Sequence, residues 1–475
     1  MTTELIWQAQ DVINAVCGKC SDTAWQAHGI SIDSRTAQPG DLFVALIGPA
    51  HDGHDHAAAA LTGGAAAAIV SRPPPNAAEG AKLVFVEDTF KALEDLGRAG
   101  RERAKGNIIA ITGSVGKTGG KEMLRVALSA CGETYANEGS FNNHWGVPLS
   151  LARMPADAKF GVFELGMNHA GELGPLAKQV RPHVALVTNV EAVHLEFFAS
   201  VKDIADAKAE IFLGMDSSGM AVLNRDNPHF ARLDDAACNR GLRRILSFGR
   251  DKLAEARLIE YHAMTGGSEI VADILGRPTR YRLGAAGEHL ALNSLGVLLA
   301  AVLAGGDLDL CAAALAQYKP PRGRGVANTI RTGTGEITLI DESYNASPVA
   351  VKAAIQVLSG MTPASGGKRI LVLGDMRELG NTSPALHAAL AKDIAQSKIE
   401  RVYCCGEWME HLYRELPPAL RGLHAKDSGM LAPQVAADLR AGDIVTVKGS
   451  KAVRMDIVIE AIKALGSSGT QKMAS

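Results

Sequence analysis

The stretch Asn107-Ile108-Ile109-Ala110-Ile111-Thr112-Gly113-Ser114-Val115-Gly116-Lys117-Thr118 constrains this chain more than any other. Its apolar run reads as a buried strand and gives way at once to a glycine turn, a lysine and a hydroxyl. Beyond the turn, Glu122, Met123, Val126, Ala127 and Leu128 fall at helical spacing. Strand, glycine turn and helix N-terminus are the setting of a phosphate-binding loop: backbone N–H groups converge on the anion and the helix dipole favours its charge. In that reading Gly113, Ser114, Val115, Gly116 and Gly119 wrap the phosphates of the ligand. Lys117 sets a point charge on the outer phosphates, and the Thr118 hydroxyl ligates magnesium. The strict pattern asks for glycine at position 111, where Ile111 stands. A glycine turn without a ligand is therefore the competing reading, and phosphate binding is the expectation.

The same departure carries a resemblance. Thr112-Gly113-Ser114-Val115-Gly116-Lys117-Thr118, followed by Lys121-Glu122-Met123, resembles the ATP loop of the Mur ligases, the amide-forming enzymes of peptidoglycan synthesis. Gly119 and Gly120 stand where that family commonly has Ser or Thr. Each costs a helix roughly 1 kcal/mol against alanine, which bears on the rigidity of the turn.

At 475 residues the chain exceeds a single core and implies two to four domains. Lys and Arg number 49 against 51 Asp and Glu, so no overall charge draws it to nucleic acid or to an anionic membrane. Seven scattered cysteines fit a reducing cytosol better than a disulfide framework, and the lone Cys17-Gly18-Lys19-Cys20 reads as structural. Met1 to Gln10 lacks the basic start and apolar core of a signal peptide. Ala57 to Val70, the most apolar stretch, is split by Gly63-Gly64 and falls short of a membrane span. A cytoplasmic monomer is expected, with no nucleic-acid or membrane partner.

The expected fold class is α/β in three domains. Residues 1–105 form a small α/β domain, 106–320 a central P-loop-type domain with a mostly parallel sheet, and 321–465 a Rossmann-like domain. Residues 466–475 are expected as a disordered tail. Lys319-Pro320-Pro321-Arg322-Gly323-Arg324-Gly325 marks the second boundary. In the first domain Ser34 and Arg35 suit an anion site and equally a solvated loop ahead of a strand from Leu42 to Ile47. Asp33-Ser34-Arg35-Thr36, Pro39-Gly40-Asp41 and Asp52-Gly53-His54-Asp55 resemble the family's UDP-binding domain, which implies that Ser34 and Arg35 lie near the UDP group.

In the middle, Gly139 to Pro148 is a polar loop whose asparagines suit turns as well as a polyfunctional ligand. The family's Asn-Asn-x-x-Gly-Val-Pro segment lies beside the sugar-peptide substrate, which implicates Asn142 and Asn143. Glu164 ends the strand Phe160 to Phe163, where open α/β sheets bind ligands, and offers magnesium the oxygen it prefers. His194 follows another strand; alone it would read as structural, but the pattern Thr-Asn-x-x-x-x-His resembles the family's catalytic, metal-binding histidine. Lys208 shares a helical face with Val201, Ile204, Ile211 and Met215, so its ammonium must snorkel, pair or lose its charge. By resemblance the lysine of Ala207-Lys208-Ala209-Glu210 is carbamylated and serves a second magnesium ion. The pattern Gly-x-His-x-x-x-Asn likewise sets His289 and Asn293 near the adenine, and Arg324 resembles a phosphate-facing arginine.

In the last third, the strand Ile337 to Ile340 leads into Asp341-Glu342-Ser343-Tyr344-Asn345. Ser347-Pro348 reads as a cap and first helical residue, placing Asp341, Tyr344 and Asn345 at a strand-to-helix crevice that bears on ATP. Three further strands follow without G-x-G-x-x-G, so no dinucleotide is inferred. Within the family, the resemblance implies a two-step reaction that uses ATP and two magnesium ions. The terminal carboxylate of UDP-N-acetylmuramoyl-tripeptide is phosphorylated, and the amine of D-Ala-D-Ala attacks the acyl phosphate. The rival family activity, addition of the third amino acid, is weakened because Asp226-Asn227-Pro228-His229 lies in the middle domain. A nucleotide-dependent switch without ligase chemistry is the alternative from another class. Three domains sharing one site also imply closure, bringing Arg324 and residues 341–345 to Lys117.

Overall fold

The computed structural model describes residues 5–264 and 266–471, with side chains described as far as 466. Three sheets organise it. In the first, Gly29–Ser31, Asp41–Val44, Ala67–Val70 and Leu83–Phe85 lie parallel in chain order. The expected strand to Ile47 stops at Val44, because Leu46 turns back to accept a hydrogen bond from the Gly53 N–H at 2.7 Å.

The central sheet has nine strands, built around Asn107–Thr112. Phe160–Glu164 and Val184–Val187 flank that strand in parallel, and all three are fully buried but for Asn107, as near-continuous apolar runs predict for a sheet covered on both faces. Register aligns Ile111 with Glu164 and Thr112 with Val187, so three strand ends open on one edge. The far edge is an antiparallel meander, Ala256–Met264, Gly267–Ile274 and Arg277–Leu283. Alternation such as Ile270, Ala272 and Ile274 facing the core betrays it in the sequence, although the strand-by-strand reading passed over it. In the third sheet Val326–Thr332 pairs antiparallel with Gly335–Glu342, and Ile444–Lys448, Arg369–Gly374, Arg401–Cys405 and Arg421–Ala425 continue it in parallel.

Two helical expectations need correction. The helix bearing Lys208 runs Val201–Ala209 and then tightens into a 3₁₀ turn, Glu210–Gly214. The final helix, Asp456–Gln471, continues through the first part of the expected disordered tail, because Ala461 and Leu465 extend its apolar face onto the third sheet. Residues 472–475 lie outside the described residues. Cys17 and Cys20 are free thiols.

The first and central sheets are joined by helix on helix. Thr89–Arg103, capped by the Asp88 carboxylate, lies against Gly146–Arg153. A Cβ at Gly97 would stand 2.8 Å from Pro148 Cα, and one at Gly100 would stand 2.3 Å from the Leu151 carbonyl. Only glycine allows that approach. Trp7 Nε1 donates to the Ala152 carbonyl at 2.9 Å, and the Arg103 guanidinium donates to the Ile6, Ala152 and Met154 carbonyls. Contacts with the third sheet are sparser and polar: Tyr344 Oη donates to Ser140 Oγ at 3.1 Å, and Glu196 N–H to the Glu378 carbonyl at 3.3 Å.

Candidate active site

The aligned strand ends dictate what meets. Gly113 has φ +149° and Gly116 φ +86°; a Cβ at the first would strike Thr188 Oγ1 at 1.9 Å and at the second Asn293 Nδ2 at 2.6 Å. The neighbouring strand end fixes the loop. Ser114 N–H donates to the Asn189 carbonyl and Val115 N–H to Asn189 Oδ1, both at 3.0 Å, while Thr188 Oγ1 donates to the Val115 carbonyl at 2.7 Å. Lys117 opens the helix Lys117–Ser129, and its Nζ donates back to the Gly113 carbonyl at 2.6 Å. Gly120 explains one departure from the family pattern, since a Cβ there would stand 2.5 Å from Ile111 Cδ1. The helix lies directly on its own strand. It stays regular, with Gly120 N–H bonded to the Gly116 carbonyl at 2.8 Å.

Charge is distributed unevenly around this loop. Glu164 is 1% exposed; its Oε1 accepts from Asn142 Nδ2 at 2.7 Å, while Oε2 is buried without a partner. Thr118 is buried beside it in the loop, and its hydroxyl makes no hydrogen bond within the described residues. Lys208, 2% exposed, likewise has no hydrogen-bond or ion-pair partner among them. Burial drives its pKa well below the ordinary lysine value, and the Lys117 charge pushes the same way. Burial also lowers Lys117, with Glu164 opposing and Arg324 adding to the shift.

These groups fit magnesium of the kind held by one or two carboxylates and completed by substrate phosphates. The observation that carries the fit is the orphaned Glu164 oxygen, a buried acceptor that lacks a donor. Among the described residues no three His, Cys, Asp or Glu side chains gather to hold a metal unaided.

A cavity of about 960 Å³ opens from the loop and is walled by segments of the central and third sheets, with Glu94 of the helix Thr89–Arg103 added from the first part. Ser114 to Gly119, Asn142, Asn143, Glu164, His194, His289, Asn293, Arg324, Tyr344 and Asn345 line it, so residues read from distant motifs do converge. The Arg324 guanidinium stacks on the Tyr344 ring at 4.2 Å. Five expected site residues lie off this wall. Gly113 and Lys208 are buried behind it. Asp341 turns one carboxylate oxygen, Oδ1, to the turn it begins, accepting from Ser343 N–H at 3.1 Å and Ser343 Oγ at 2.6 Å. Ser34 and Arg35 sit on an outer turn, where Asp33 grips the exposed Arg35 through Nε at 2.9 Å and a terminal nitrogen at 2.6 Å.

Several wall residues escaped the sequence reading. Asn189 and Glu191 brace the phosphate loop. Lys448 ends its strand in register with Glu342 and donates to Glu342 Oε2 at 2.8 Å and to the Asn345 carbonyl at 2.9 Å. Strand-end position was the available signal for these three. Glu94 and Glu378 also face the cavity; no local pattern marks Glu94, and Glu378 lies in Gly374-Asp375-Met376-Arg377-Glu378-Leu379-Gly380, a string that resembles the family without singling out this carboxylate.

Fold and cleft together define an ATP-dependent ligase, and the chain belongs to the Mur ligase family. Residues 26–101 match the Mur ligase family catalytic domain, 111–301 the Mur ligase middle domain, and 328–451 the Mur ligase glutamate ligase domain. More particularly, it is similar to the UDP-N-acetylmuramoyl-tripeptide–D-alanyl-D-alanine ligases of Escherichia coli (strain K12) and Rickettsia prowazekii (strain Madrid E). Identity is 33% with the first, over 98% of this chain and 100% of the relative, and 32% with the second, over 96% and 99%. The crystal structure of MurF from Acinetobacter baumannii superposes with a TM-score of 0.83 at 29% identity, covering 96% of this chain and 99% of that one. MurF from Thermotoga maritima in complex with ADP superposes with a TM-score of 0.77 at 27% identity, covering 93% and 98%.

Proposed function

We propose that this chain joins D-Ala-D-Ala to the terminal carboxylate of UDP-N-acetylmuramoyl-tripeptide at the expense of ATP, in peptidoglycan precursor synthesis. The observation that carries the reading is convergence. Lys117, Arg324 and Lys448, from separate segments, wall one cavity with the unpartnered Glu164 oxygen. Cations on that wall suit a reaction in which a carboxylate approaches a triphosphate and negative charge must be held.

In the first step a substrate carboxylate oxygen bonds to the γ-phosphorus and ADP leaves. In the second the D-Ala-D-Ala amine bonds to the acyl carbon, phosphate leaves and the amine gives up a proton. Lys117 and the loop N–H groups orient the triphosphate, Asn293 packs on the loop, and His289 stands where the adenine would rest. Arg324, held flat by Tyr344, faces the transferring group from the opposite wall. Asn142 and Asn143 face the peptide end, and Ser34 and Arg35 serve the UDP group from their outer turn. Two magnesium ions, held through Thr118 and Glu164 and through His194 and a carbamylated Lys208, would supply further charge neutralisation.

The carbamate follows from the burial of Lys208 without a partner. A neutral amine adds to carbon dioxide, one N–C bond forms and one proton is released. Lys208→Ala should lose most activity and regain part of it with acetate. With ¹³C-bicarbonate the wild type should show a carbamate resonance that Lys208→Met lacks; an unmodified amine in fully active enzyme would overturn it. The whole reading is tested by ADP release from ATP with each UDP-muramoyl peptide, with and without D-Ala-D-Ala. Release that requires both the tripeptide and D-Ala-D-Ala supports it; dependence on a dipeptide and a free amino acid would assign the third-residue ligase. Sedimentation should show a monomer, and no affinity for vesicles or nucleic acid is expected of a chain with balanced charge.

A further inference from the structure

His194 and Glu378 meet across the joint between the central and third sheets, with His194 Nδ1 and Glu378 Oε2 2.5 Å apart. The separation is of hydrogen-bond length, although the carboxylate stands off the axis of the ring N–H. Both residues take left-handed backbone conformations, φ +55° at His194 and φ +65° at Glu378. Side chains other than glycine occupy that region rarely and only where the surroundings compel them, and such residues gather at functional sites.

The surroundings here are specific. Leu379 is 2% exposed and anchors the loop that follows the strand Arg369–Gly374. Arg377 N–H donates to Ser450 Oγ at 2.9 Å, holding the same loop from the other side. Across the joint, Glu196 N–H donates to the Glu378 carbonyl, and Gly380 stands so near that a Cβ would be 3.3 Å from Glu196 Cα. The segment after His194 and the segment around Glu378 are thus docked backbone to backbone, with the ion pair at the cavity edge.

We infer that Glu378 is a positioning residue for His194: when the third sheet docks, its carboxylate takes Nδ1 and leaves Nε2 as the ring nitrogen turned to the ligands in the cleft. The assignment rests on the ligase reading above and extends it. Histidines that serve a ligand through one nitrogen are commonly oriented by a carboxylate on the other, which fixes tautomer and ring angle. Here the orienting group comes from the other side of a joint. His194 is therefore set only when the domains meet, and the chemistry is tied to closure.

The test combines kinetics with histidine spectroscopy. Protein labelled with ¹⁵N-histidine, with the His194 signals assigned through His194→Gln, is compared as wild type, Glu378→Ala and Glu378→Gln. Glu378→Ala should shift the His194 ring nitrogens and lower kcat about ten- to a hundredfold, with a far smaller change in KM for ATP. Glu378→Gln keeps an acceptor and should restore part of both, which also covers the case in which the alanine variant folds poorly. In a His194→Ala background Glu378→Ala should cost nothing further. Unchanged His194 resonances together with an unchanged kcat in a folded Glu378→Ala variant would overturn the inference. Wild-type protein that releases no ADP with the tripeptide and D-Ala-D-Ala would instead refute the ligase reading, and the resonances would still decide the pair.

Discussion

The two joints of this molecule are built from different materials. Between the first and central sheets, Gly97 and Gly100 let two helices touch backbone to backbone, and Trp7 and Arg103 donate to carbonyls across the seam. Between the central and third sheets the contacts are fewer and polar, Tyr344 with Ser140, His194 with Glu378 and one backbone bond from Glu196 to Glu378, around an open cavity. The first joint resembles a core and the second a clasp. Buried close packing resists separation because every atom lost from contact leaves a void or an unpaired donor, whereas half-buried polar pairs regain water as partners when they part. The loop around Lys117 lies on the side joined by the glycine seam, and Arg324, Tyr344 and Lys448 lie across the polar joint.

The largest effect should come from the fixed side. Lys117→Ala should leave the fold intact and reduce turnover by about a hundredfold or more, because it deletes a charge placed on the transferring group. Wild-type ADP release by the folded variant would remove the loop from the mechanism. Next, Gly100→Ala should lower stability by about 1–3 kcal/mol, since the added methyl group meets a backbone carbonyl that cannot yield cheaply. A denaturation midpoint equal to wild type would mean that the first joint is looser than a core. Tyr344→Phe should leave that midpoint nearly unchanged but give a larger radius of gyration in small-angle scattering without ligands, since it removes a bond from the clasp alone. An equal stability loss at both joints would erase the distinction.

The smallest effect should be at the outer turn, away from both joints. Asp33 is held at about 2, below its ordinary 3.8, chiefly by the Arg35 hydrogen bond. A depressed carboxylate pKa stabilises the fold above the unfolded value, and the contribution fades as pH falls through the folded one. Arg35→Ala should therefore cost a slight stability at neutral pH, small because the pair is exposed and screened, and the difference from wild type should vanish as pH falls from about 4 to 2. A large shift at neutral pH would contradict the exposed setting.

The sequence disclosed what is local. The order of strand, glycine turn and helix around Lys117 is written in neighbouring residues and could be read before any coordinates, although Thr188 and Asn189 from the next strand end hold the turn. The convergence of Arg324, Asn293 and His194 was legible only through separated motifs held in a familiar order. Asp341 shows how position alone leaves a role open: it lies off the cavity wall, and one carboxylate oxygen, Oδ1, accepts from Ser343. Glu378, Glu94 and Lys448 act through partners 184, 85 and 106 residues away in the chain (378 − 194, 179 − 94, 448 − 342), distances over which no periodicity carries information. The helical tail was hidden for the opposite reason, because composition alone could not show that the third sheet offered Leu465 a place to pack.

The glycine seam has a metric consequence. With the first and central sheets fused at Gly97 and Gly100, the span from the outer turn of Ser34 to Lys117 is set by the fold and does not depend on which ligand is present. A substrate tethered by one end near that turn and reacting by its other end at the loop must bridge a constant gap. On the proposed reading, with the UDP group held near Ser34 and Arg35, a peptide one residue short would not reach Lys117 and one residue long would overshoot it. Side-chain recognition along the way can be permissive, because the terminal carboxylate has already been selected by where it falls.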